Sequence, residues 1–143
     1  MSRADRAVES FAHSFNCAQA TLFALSDIAG LDGPTALRLG ACFGAGMHRG
    51  ATCGAVTGAL MALGARLGHD VEGDVDTKRR AYAAGEALQD RFIARFGSTN
   101  CPVLLEGDPT DPAQRERIEV LWRTRCPAFV RAAVEIAEGL LAV

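Results

Sequence analysis

Five cysteines, Cys17, Cys42, Cys53, Cys101 and Cys126, are the residues of this 143-residue chain best equipped for chemistry. A thiolate attacks electrophilic sulfur, exchanges disulfides and ligates soft metals, so what matters is which surroundings would ionise these thiols and gather them. Candidate caps give a first answer. Cys17 follows Asn16, Cys53 follows Thr52 and Cys101 follows Asn100, while Cys126 precedes Pro127, a favoured first helical residue. At a helix start, unpaired backbone N–H groups and the positive end of the dipole stabilise a thiolate over a thiol. Four cysteines share this expected setting, which favours nucleophilic attack or metal ligation. Packing as a small hydrophobe accounts for one cysteine more readily than for four in one context. For Cys42, in "LRLGACFGAG" near a helix end, core packing is the expectation.

No CxxC pair is present, which argues against a thioredoxin-like site and against common zinc-finger and ferredoxin spacings. Thiols scattered over several helix ends could still converge on a metal or an iron–sulfur cluster. Just after Cys53, Gly54 and Gly58 lie four residues apart on one helical face, so another backbone or a cofactor can come close there. "GAGMHRG" at 44–50 has a phosphate-loop look but lacks the strand, the βαβ unit and the Lys and Ser/Thr offsets such loops need; it reads as a flexible, close-packed connection into Cys53. His13, His48 and His69 stand in no motif, with His48 and Arg49 the nearest to Cys53 and Arg49 placed to stabilise a thiolate.

The elements that must position these residues are helices. Apolar residues recur at spacings of three and four, as in Ala4, Val8, Phe11 and Phe15, and no segment alternates as a strand would. Capping chemistry predicts an all-α, single-domain bundle over 1–143 of roughly six to seven helices, near 3–13, 17–29, 34–45, 53–67, 77–96, 112–124 and 127–141. Asp76 and Asp111 are the expected N-caps, with Pro112 and Gln114 completing a pattern like a capping box; Gly30, Gly68 and Gly97 are the expected stops. A net charge of -2 and 49% hydrophobic residues exclude a disordered chain and give no basic patch for nucleic acid. Charges at Arg3, Asp5, Arg6 and Glu9 interrupt any signal-peptide core, and the apolar run 51–65 is too short for a bilayer span, so a cytoplasmic protein without membrane insertion is expected.

The order and spacing of "FNCAQA" at 15–20, "CGAVTG" at 53–58, "RFGSTNC" at 95–101 and Cys126 resemble a family of redox-active proteins named for its cysteines, the C_GCAxxG_C_C family. The resemblance covers most of the chain. It implies that Cys17, Cys53, Cys101 and Cys126 are the four signature cysteines, that "FGAGMHRG" is the glycine-rich approach to the hexad, and that Cys42 is extra. It implies a redox role and supplies no substrate.

Three readings follow. In the first, the cysteines cycle between thiol and disulfide, Cys53 attacking and Cys17, Cys101 or Cys126 resolving, with all three pairings of four thiols open and the redox partner unnamed. In the second, Cys17, Cys53, Cys101 and Cys126 ligate a metal ion or iron–sulfur cluster. In the third, a noncatalytic helical protein uses its glycine-rich face as an interface, including one between identical subunits. No nucleotide or flavin motif calls for an organic redox cofactor.

Overall fold

A computed structural model describes residues 1–143. The chain forms α1 (Arg3–Ala12), α2 (Cys17–Ala24), α3 (Ser26–Ala29), α4 (Gly33–Gly40), α5 (Gly54–Leu67), α6 (Val75–Phe96), α7 (Cys101–Leu105) and α8 (Arg115–Leu141). It contains no strand, and the single isolated bridge pairs Thr52 with Asn100. The fold is all-α, with six longer helices and two short ones, α3 and α7.

α2 and α5 are the central pair because they are apolar all round. α2 buries Cys17, Ala18, Ala20, Thr21, Leu22 and Ala24, and α5 buries Gly54, Ala55, Val56, Gly58, Ala59, Ala62 and Leu63, with Thr57, Leu60 and Met61 half-buried on the remaining side. α2 packs on α1, α4, α5 and α8, and α5 also contacts α3, α6 and α8. α1 is amphipathic and lays Ala4, Ala7 and Phe11 inward, its first turn fastened by a capping box between Ser2 and Asp5. Ion pairs from Arg3 to Asp27 and Glu138, and from Arg131 to Asp5, tie α1 to α3 and α8. One cluster of 29 buried residues spans the core, with Phe92, Phe96 and Phe129 stacked between α6 and α8. The apolar run that the sequence assigns to a buried helix is α5, and no helix is long and apolar enough to cross a membrane.

Several boundaries depart from expectation. The helix expected over 17–29 divides at Leu25, where the backbone leaves helical geometry and α3 begins. The expected break before Pro127 is absent: α8 runs through Cys126 and Pro127 as one rod of 27 residues. Proline removes one N–H from the ladder and its ring crowds the preceding turn, but the apolar face from Phe129 to Ala137 holds the helix against the core. Asp74, not Asp76, caps α6, its carboxylate accepting from the Thr77 N–H at 3.2 Å. Asp111 caps a short 3₁₀ turn, Pro112–Gln114, that leads into α8. Gly30 and Gly97 end helices in the left-handed region at φ +72° and +89°, whereas Gly68 ends α5 with extended backbone.

Candidate functional site

α2 begins at Cys17, and Asn16 builds that beginning. Its side-chain oxygen accepts from the Gln19 N–H at 2.8 Å, and Gln19 returns a bond to the Asn16 N–H, a complete capping box. The amide nitrogen of Asn16 also donates to the carbonyls of Gly40 and Ala41, at 3.3 and 3.1 Å. Those bonds satisfy the end of α4 and stop it at Gly40, so Cys42 lies in the following turn and is exposed. The expectation that Cys42 packs in the core is therefore overturned.

Beyond Cys42 the chain makes an unusual turn. Ala45, Gly46, Met47 and His48 all have positive φ, at 52°, 63°, 58° and 56°, a left-handed turn closed by the Ala51 N–H donating to the Gly46 carbonyl at 3.0 Å. Each non-glycine residue held so costs about 1 kcal/mol or more, strain of the kind stored beside functional groups. This glycine-rich connection has a defined conformation, and it brings the Ala45 N–H to the Cys17 sulfur. Next, two bonds across the Thr52–Asn100 bridge, Cys53 N–H to the Thr99 carbonyl at 2.7 Å and Cys101 N–H to the Ala51 carbonyl at 2.8 Å, fasten the starts of α5 and α7 together.

The hexad's glycines bring α2 against α5. A Cβ at Gly58 would lie 2.8 Å from the Ala18 carbonyl oxygen, and one at Gly54 would collide with the Cys17 sulfur itself. The close approach expected at these glycines is made by the α2 backbone, and no cofactor fits between.

Cys17 and Cys53 are thus neighbours, both buried. Cys53 beside it, and then the backbone N–H groups of Ala45, Gly54 and Ala18, pull the Cys17 thiol down to about 7 against the opposing cost of burial. Cys17 beside it and burial push Cys53 well up. Cys101 is pushed up to about 12 by burial first, then by Cys17 and Asp108. Cys126 is also pushed up by burial. Of the four cysteines expected at helix starts only Cys17 is pulled down, and the first cause is Cys53 rather than the helix start. Cys53 is itself the N-cap of α5, Cys101 heads a helix of only five residues in apolar surroundings, and Cys126 lies in mid-helix.

Cys17 forms part of the wall of a pocket of about 640 Å³, together with Cys42, Cys101 and Cys126. Cys53 is not in that wall and stands behind Cys17. Ile118, Trp122 and Cys126, one turn apart along α8, form the opposite side; their i, i+4, i+8 spacing was the sequence signal for Ile118 and Trp122, which the cysteine pattern alone does not find. His48 lies at the rim, while His13 caps α1 and His69 lies by a groove between α5 and α6. Arg49 is exposed, and the groups acting on Cys17 and Cys53 are amides and other thiols. All five cysteines are free thiols, and no three His, Cys, Asp or Glu side chains are grouped to hold a metal ion, so the four-thiolate ligand set is not assembled.

Against known proteins, residues 15–140 match the model of a family described as "Putative redox-active protein (C_GCAxxG_C_C)". No curated protein and no solved structure matches the chain.

Proposed function

The chain belongs to the C_GCAxxG_C_C family, and on that premise we propose that it carries out thiol–disulfide exchange with Cys17 as the attacking thiolate and Cys53 as the resolving thiol. The sequence favours Cys53 as the attacker. What supports Cys17 instead is its surroundings: Cys53 and three backbone N–H groups act on a sulfur that also faces the pocket. A nucleophile whose pKa lies near neutral pH combines a large thiolate fraction with retained reactivity.

The step balances within the pair and one disulfide, R–S–S–R. The Cys17 thiolate bonds to one substrate sulfur, and the S–S bond breaks to release RS⁻. Cys53 gives its proton to that thiolate, forming RSH, then attacks the Cys17 sulfur and expels the second RS⁻. The substrate gains two electrons and the two cysteines lose them as a Cys17–Cys53 disulfide. Cys53 neighbours Cys17 and is not in the pocket wall, so it can resolve a mixed disulfide formed from the pocket side. Turnover then requires an external dithiol to reduce the pair.

Arginines at 6, 38, 49, 66, 95, 115, 125 and 131 place the five cysteines on five different tryptic peptides. Alkylation of the native protein with iodoacetamide across pH, followed by mapping, should give Cys17 a midpoint of about 7 and leave Cys53 slow. After exposure to a small disulfide, the peptides of Cys17 and Cys53 should be found joined. A Cys17 that stays unmodified up to pH 9, or oxidation that joins other cysteines and leaves these two reduced, would overturn the proposal.

A further inference from the structure

The pocket in front of Cys17 has a composition that bears on what can reach the sulfur. Its wall contains no Lys, Arg, Asp or Glu, and its one imidazole, His48, is exposed at the rim. Met47 from the left-handed turn, Leu105 from α7, and Ile118 and Trp122 from α8 present carbon, and Trp122 is held edge-on by Phe11 with ring centroids 5.9 Å apart. The polar side chain nearest Cys17 in sequence, Asn16, is already committed to the Gln19 N–H and to two carbonyls of the α4 end, so it has nothing left to offer a substrate carboxylate. Asp108, which acts on Cys101 from outside the wall, adds repulsion for anions. A volume of about 640 Å³ suits a small molecule.

We infer that this pocket selects small, uncharged organic disulfides with apolar substituents for exchange at Cys17, and disfavours charged disulfides of the glutathione type. The inference rests on the thiol–disulfide reading above and adds its substrate class. An apolar group entering the pocket leaves water for carbon walls and gains from its burial. A carboxylate entering it loses hydration and faces the negative charge of Asp108 and of the Cys17 thiolate, whereas an ammonium regains part of that loss from the same charges.

The test compares dipropyl disulfide, glutathione disulfide and cystamine on the reduced full-length protein at neutral pH. The rate of Cys17 modification is read by peptide mapping and divided by the rate for the same cysteine in the urea-unfolded chain, which removes each probe's intrinsic reactivity. Dipropyl disulfide should show a folded-to-unfolded ratio larger by about tenfold or more than glutathione disulfide, with cystamine between the two. The exposed Met47 can accept charge without disturbing the core, so Met47→Lys, which puts an ammonium where the wall had carbon, should raise the glutathione disulfide ratio severalfold relative to the dipropyl ratio. Equal ratios for neutral and charged probes, or no response to Met47→Lys, would overturn the substrate class while leaving exchange at Cys17 standing. Failure of Cys17 to react with any of the probes would overturn exchange itself, and this inference with it.

Discussion

Replacing Gly58 by alanine separates two forces of opposite sign. Alanine is a better helix former than glycine, so propensity alone would raise stability by about 1 kcal/mol. The structure reverses that expectation. The new methyl carbon would stand 2.8 Å from the Ala18 carbonyl oxygen, 3.1 Å from Thr21 Cβ and 3.2 Å from Ala18 Cα. Two of those atoms are backbone, so α2 must retreat by roughly half an ångström to restore ordinary contact, at an overpacking cost of about 1–3 kcal/mol. The net change should be a loss of about 1 kcal/mol, a fall in urea midpoint of about 0.5 M. Gly64, on an exposed stretch of the same helix with nothing within 4 Å of a Cβ, supplies the control, and Gly64→Ala should raise the midpoint by a similar amount. Because α2 carries Cys17 away from the Gly54 N–H and from Cys53, the alkylation midpoint of Cys17 should also move from about 7 toward the ordinary thiol value of 9.0. A Gly58→Ala protein stabilised as much as Gly64→Ala, with the Cys17 midpoint unmoved, would refute the reasoning that the hexad's second glycine exists to admit α2.

Stability should pass through a maximum near pH 9 under reducing conditions. Cys17 has its folded value lowered, so between about pH 7 and 9.0 the unfolded chain holds more protons and stability rises with pH, a contribution that vanishes below pH 7. Above that range the raised values of Cys53, Cys101 and Cys126 mean that unfolding releases protons, and each such thiol removes about 1.4 kcal/mol per pH unit; urea midpoints that fall steadily from pH 7 upward would contradict this. The Thr21 hydroxyl is buried without a partner, so Thr21→Val should raise stability by about 1 kcal/mol in the same assay, and a loss would mean the hydroxyl has a partner. Asn16→Ala removes the α2 capping box and two bonds to the α4 end, and should cost about 2 kcal/mol while raising the Cys17 alkylation midpoint; an unchanged midpoint would show that the cap does not hold the sulfur in place.

Much of this molecule is local in origin and was therefore legible in the sequence. Asn16 and Asn100 cap the helices that follow them because a short side-chain oxygen reaches the third N–H of its own chain, and the apolar run after Cys53 forms a helix whose first three turns are largely buried. The motifs "FNCAQA" and "CGAVTG" marked the two segments whose cysteines meet, and Gly54 and Gly58 announced a close approach. Pro127 misled, because a preference for helix starts is weaker than the packing that holds α8 straight through it. Cys42 misled as well, because the end of α4 is set by an amide 24 residues earlier in the chain.

The thiol chemistry itself was decided by tertiary structure. A helix start gives every thiol the same local field, and the sequence put Cys53 first; burial and N–H groups from other elements instead lower Cys17 and raise Cys53 and Cys101. Three amides from α2, the left-handed turn and α5 reach one sulfur only because Gly54 lets the elements close on it. The walls of the pocket come from four separate stretches of the chain, and their shared lack of charge exists only once the fold has brought them together.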